Sequence, residues 1–190
     1  MPGFPAATVD ALPFAGEPAA DRLLVADPMA LLLGFLLDQQ VPLERAFSAP
    51  WALRDRLGTI SPAGLLALDQ EAVERAFAGP PALHRFPKMM AQRALRLCAL
   101  LVDQYQGRPE RVWEGAIDAE DLTRRLLELP GMGPMKARTL LSVLAKQLGV
   151  RPKGWERLIP DHPTLGDVQD KEGLLRYRSY KRSQEQKGAG

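Results

Sequence analysis

The chain of 190 residues has room for one domain or two small lobes, and its 46% apolar content is enough to build a core. A net charge of +2 says little by itself, and no apolar run reaches the roughly 18 residues of a membrane span. The single Cys98 excludes an internal disulfide, a Cys₄ zinc site and a cysteine-ligated iron–sulfur cluster, and with only His84 and His162 no metal site is expected.

Residues 1–20, rich in Pro, Ala and Gly, read as irregular. Asp27-Pro28 is a helix start, with Asp as N-cap and Pro at the first helical position. Pro28–Gln40 is apolar nearly all round, the pattern of a buried helix. Pro42 ends it, and Leu43–Phe47 and Trp51–Leu57 read as two short helices. Ser61-Pro62 caps another, and Asp69 caps Gln70–Ala78. Gly79-Pro80-Pro81 breaks the chain before Pro87 opens a long helix, Lys88–Gln104, with Met90, Ala94, Leu97 and Leu101 at helical spacing. Asp118 or Asp121 starts a helix that ends at Glu128. Pro130-Gly131-Met132-Gly133 is a tight turn, and Pro134–Leu148 is the next helix. Short helices at Glu156–Leu158 and Leu165–Val168 and a basic helix at Gly173–Arg182 complete the chain. With no alternating run of β-branched residues, the fold class is all-α.

Charge is unevenly distributed. Lys136, Arg138, Lys146, Arg151, Lys153 and Arg157 face a single acid, Glu156, in residues 131–157, and Arg85, Lys88, Arg93 and Arg96 face none in residues 82–96. Residues 171–190 carry six bases against Glu172 and Glu185, with Tyr177 and Tyr180 interleaved as in single-strand grooves or on a plain docking helix. Three basic segments on a nearly neutral chain point to a polyanion. Between two amphipathic helices lies Leu129-Pro-Gly-Met-Gly-Pro-Met-Lys-Ala137. Gly131 and Gly133 permit backbone angles closed to other residues, so N–H groups at the head of the Pro134 helix turn outward. Such amides and the helix dipole attract anions, a DNA phosphate above all, and Lys136 adds a charge-assisted contact. The competing reading is an ordinary glycine turn between packed helices.

This hairpin resembles that of the helix-hairpin-helix (HhH-GPD) DNA glycosylase superfamily, over residues 27–160. "LLDQQVP", "ALHRFPKMMAQR", "LPGMGPMKAR" and "LGVRPKGWE" together resemble a small bacterial subfamily assigned to base-excision repair. The resemblance implies two helical lobes around a cleft, without an iron–sulfur cluster. Residues 1–26 would be an N-terminal extension packed on the second lobe, and 27–130 a helical lobe. The hairpin would occupy 118–148, C-terminal helices 149–182 and a disordered tail 183–190. The implied partner is damaged double-stranded DNA, bound by a monomer in the bacterial cytoplasm at the nucleoid. The implied activity is that of a monofunctional DNA N-glycosylase that flips and hydrolytically releases a base. The alternative is a non-catalytic binder of damaged or branched DNA. No organic cofactor is implied, and at most a monovalent cation on the hairpin carbonyls.

The family places a lysine nucleophile where Met135 stands, and Lys136 is about 100° further round the helix, which argues against lyase chemistry. The family's aspartate falls at Lys153-Gly154-Trp155, where no acid stands. Glu156, Asp38 and more distantly Asp161 are the candidate carboxylates to stabilise an oxocarbenium-like sugar. Asp38, at the end of an apolar helix, has the setting for a raised pKa, or caps that helix. Gln39 and Gln40 would fill the gap left by an extruded base or bond the helix end. Phe86, flanked by Arg85 and Lys88, would wedge between bases or pack on Phe77. Trp155 would line a base pocket or cover the core. The DNA-contacting set is thus Gly131, Met132, Gly133, Met135, Lys136, Gln39, Gln40, Phe86, Arg85 and Lys88.

Overall fold

Proline or a polar cap starts most helices of the computed structural model, which describes residue 4 and residues 6–188. The described residues hold ten α-helices and no β-strand, an all-α fold. They are α1 (Pro18–Ala26), α2 (Pro28–Leu37), α3 (Leu43–Leu57), α4 (Pro62–Leu66), α5 (Gln70–Ala78), α6 (Pro87–Tyr105), α7 (Arg111–Glu114), α8 (Ala119–Glu128), α9 (Pro134–Lys146) and α10 (Lys171–Gly188). Short 3₁₀ turns stand at Trp155–Arg157 and Leu165–Asp167. The caps are those the sequence names. Asp27 accepts from the Met29 amide, Ser61 from Gly64, Asp69 from Ala72 and Asp118 from Asp121.

Every residue of α2 is buried, and the helix packs chiefly on α3. Gly34 makes this packing possible. A Cβ there would stand 2.5 Å from the ring of Phe47, which also meets Phe35 edge-on. Helices α1, α4, α5 and α6 complete one group around α2 and α3, while α8 packs on α9 and α9 on the turn Leu165–Asp167. No helix among the described residues is long and apolar enough to cross a membrane.

Three elements differ from the sequence expectation. Residues 18–20, read as irregular, open α1, which is capped by Glu17 with Pro18 at its first position and buries Leu23 and Leu24. Pro50 does not split α3. Its ring is buried in the helix, whose neighbours Phe47 and Leu53 are fully enclosed. Burial of that face outweighs the one backbone bond proline cannot make. The last helix runs past 182. Of the expected tail 183–190, residues 183–188 continue α10, and 189 and 190 lie outside the described residues, as do 1–3 and 5 of the irregular start.

Gly34→Ala should therefore lower stability by about 1–3 kcal/mol through overpacking. Gly133→Ala, at φ −84° with nothing within 4 Å of its Cβ position, should change it by less than about 1 kcal/mol. Urea unfolding of both variants checks the contrast.

Candidate nucleic-acid interface

Leu122 and Leu126 bury one face of α8 and carry the chain into Leu129, also buried. The Met132 amide returns to the Leu129 carbonyl at 3.1 Å and closes the turn. Gly131 sits at φ +76°, the left-handed region that favours glycine. Gly133 does not: its φ of −84° and ψ of 173° suit any residue, so what it provides is open space. No side chain caps α9, and its first turn holds no acid. Among the described residues the amides of Gly131, Gly133, Met135 and Lys136 donate to no protein acceptor. Gly131, Gly133, Pro134 and Met135 are exposed, so the corner is open to solvent. Met132 is not part of that surface. Its side chain is buried and its amide is used within the turn.

Lys136 also departs from expectation. Its ammonium turns inward and donates to the Phe35 carbonyl at 2.6 Å, across the end of α2. A buried helix end must find donors for its last carbonyls. Here Gly34 O accepts from the Asp38 amide and Leu37 O from the Gln39 amide, and Leu36 O accepts from Gln39 Nε2 at 2.8 Å. Lys136 supplies the fourth donor. Gln39 is thereby taken up as well, its Oε1 accepting from Arg93 at 2.8 Å. The Gln39 carbonyl accepts from His84 Nε2 at 2.8 Å, and His84 Nδ1 accepts from the Phe86 amide at 3.0 Å. These two bonds fix His84 as the neutral Nε2–H tautomer. Burial, with Arg45 and Arg85 nearby, holds its pKa below the usual value.

The same network displays its outer residues. Gln40 is exposed at φ +55°, a strained setting for a non-glycine residue, and its side chain bonds to nothing among the described residues. Phe86 is 39% exposed at the head of α6 rather than packed with the buried Phe77. Arg85 lies over its ring, 4.9 Å from the centroid. Lys88 is exposed and paired with Glu74 at 3.6 Å.

A groove of about 320 Å³ opens beside the hairpin, between α9 and α10. Met135 and Thr139 line it from one side and Tyr177, Tyr180 and Lys181 from the other. His162 closes its end, stacked on Tyr180 at 5.7 Å. The loop bearing His162 is fixed by Gln147, whose Nε2 donates to the Leu165 and Val168 carbonyls at 2.9 and 3.1 Å, and by the Ser142–Thr164 hydroxyl pair. Thr139 follows Met135 by one helical turn, its hydroxyl donating to the Met135 carbonyl at 2.9 Å, whereas only the folded chain brings His162 to Met135. Asp38, half-buried, lies within electrostatic reach of Tyr177, Lys181 and Lys136. Burial raises its pKa, and the two lysines oppose the rise. Burial together with Asp38 pushes the Tyr177 phenol up to about 12. Burial also holds the Lys136 ammonium below the usual lysine value.

Glu156 and Trp155 lie elsewhere. The Lys153 carbonyl accepts from the amide of Ala119, the first residue of α8. The 3₁₀ turn Trp155–Arg157 therefore sits at the end of α8 away from the hairpin, about 15 Å along that helix. Glu156 is exposed there and Trp155 packs against the core. Neither reaches the groove; of the sequence-named carboxylates, Asp38 lies within electrostatic reach of Tyr177 and Lys181 in its wall, and Asp161 directly precedes His162 at its end.

No family model and no curated protein matches the chain. A solved structure, "Structure of a Trapped Endonuclease III-DNA Covalent Intermediate: Estranged-Adenine Complex", is similar at 23% identity and a TM-score of 0.45, over 60% of this chain. The chain spans less than half of that protein, 46% of its length. A likeness of this size establishes neither family nor activity.

Lys136→Met should destabilise by about 1–3 kcal/mol, because the Phe35 carbonyl loses its donor. Gln40→Gly should stabilise by about 1 kcal/mol by relieving the left-handed backbone. Thermal or urea unfolding reads both. His84 binds a proton less readily folded than unfolded, so its contribution is complete above about pH 6.5 and is lost as pH falls below that value. Buried Asp38 has the opposite sign and relieves its cost as it protonates. The wild-type curve minus that of His84→Gln should therefore decline between neutral and mildly acid pH.

Proposed function

We propose that this chain binds duplex DNA by its phosphodiester backbone and acts as a monofunctional DNA N-glycosylase in base-excision repair. The observation that carries the reading is the open, uncapped head of α9 beside the groove. Four unpartnered amides and the helix dipole favour a phosphate, and Gly133 lets the strand approach closely. Such contacts hold the backbone without reading sequence. Gln40 and Phe86, exposed on neighbouring segments, are the groups to enter the duplex where a base leaves it. Arg85 and Lys88 extend the positive surface. The groove falls in the range of about 300–1,000 Å³ common for small ligands and offers tyrosine faces to an extruded base. The carbonyls of Gly131 and Met132 accept no protein bond among the described residues and are the groups that would hold a monovalent cation.

Hydrolysis would break the C1′–N bond, the base departing with the electron pair and taking up a proton. Water would add to C1′ and lose a proton to Asp38, whose raised pKa suits that task and whose charge steadies the cationic sugar. A second reading has its own support: no carboxylate lines the groove itself, as befits a binder of damaged DNA without chemistry.

Gly133→Asp should weaken duplex binding at least tenfold with little change in stability, and binding should fall steeply as salt rises. Fluorescence anisotropy measures both. Base release from a panel of damaged duplexes should vanish in Asp38→Asn and persist in Glu156→Gln. Tight binding without release in the wild type would favour the second reading.

A further inference from the structure

A second groove, of about 520 Å³, runs between α3 and the segment 80–83. Arg45, Ser48, Trp51 and Asp55 line one wall at helical spacing, and Leu83 lies opposite. Its far wall is held rigidly. Arg56 spends its guanidinium on the carbonyls of Ala76, Gly79 and Pro81, at 2.5, 3.4 and 2.8 Å. Trp51 is 36% exposed, a large indole left at the surface beside a preformed wall. Arg45 is exposed and makes no ion pair among the described residues. It lies within electrostatic reach of His84, as does Arg85. The groove thus continues from the Gln39–Phe86 network and shares its positive edge.

We propose that this groove is a second nucleic-acid subsite that takes an unpaired nucleotide, its base on the Trp51 indole and its phosphate on Arg45. The proposal rests on the reading that the hairpin holds DNA, and it adds a preference for duplexes bordered by a single strand. Aromatic faces bind any base by stacking, and a nearby guanidinium answers the backbone charge. Asp55 accepts bonds from exocyclic amino groups at the groove's other end. One basic and one acidic end around an indole suit a nucleotide, which carries an anion on one side and amino groups on the other.

The test compares a blunt duplex with the same duplex bearing a deoxycytidine overhang, whose base carries an exocyclic amino group, by fluorescence anisotropy. The overhang should tighten binding about 5- to 100-fold. Trp51→Ala and Arg45→Gln should each abolish that gain, Trp51→Phe should keep most of it, and blunt-duplex affinity should stay as in the wild type in both Trp51 variants. Circular dichroism spectra identical to wild type exclude misfolding as the cause. An overhang that adds nothing, or that adds as much in Trp51→Ala, overturns the proposal. So does a wild-type dimer, seen by sedimentation, that dissociates in Trp51→Ala, because a second copy would then fill the groove. If the blunt duplex fails to bind while free oligodeoxycytidine binds through Trp51, the hairpin reading falls and this subsite stands.

Discussion

The C-terminal end of α2 governs the arrangement of everything around it. A helix buried along its whole length cannot leave its last carbonyls to water, and each unpaired one costs about 1–3 kcal/mol. The donors come from its own next residues and from α9. Arg93 of α6 then holds Gln39, and His84 holds the carbonyl that follows. One requirement therefore joins the hairpin helix, the long helix and the loop before it at one point. The surface residues Gln40, Arg85 and Phe86 take their positions from that junction, and Gly131 packs against it through Leu36 and Gln39.

Much of this was legible in the sequence. The capping residues at 27, 61, 69 and 118 named their helices, because a cap is a local bond between residues two or three apart. The uniformly apolar run after Asp27 announced a buried helix. The hairpin itself could be read from its glycines and prolines, since turns are set by short-range sterics. Pro50 escaped because burial of its face of α3 decides it, and propensity does not, whereas α1 had a local Glu17-Pro18 start that the Pro, Ala and Gly around it obscured.

The site was harder to read. Lys136 and Gln39 are polar residues at the expected places, yet they face inward. A sequence gives a side chain's chemistry but not the carbonyl it meets a hundred residues away. Asp38 was named from its position at the end of an apolar helix, and burial does raise its pKa. Glu156 was named from spacing alone, and the chain carries it to the wrong end of α8. His162, Arg45 and Trp51 gave no signal because their neighbours come from distant segments. Gly131 and Gly133, alike in the sequence, divide two tasks: one bends the chain and the other keeps a space clear.

The bond from Lys136 to the Phe35 carbonyl spans 101 positions of the chain. Closing so long a loop costs conformational entropy before any contact repays it. The inward bond of Lys136 is therefore made only when α2 and α9 are both in place. A ribosome would release α2 and α6 before α9, so a nascent chain would carry the Phe35 carbonyl without its donor until α9 arrived.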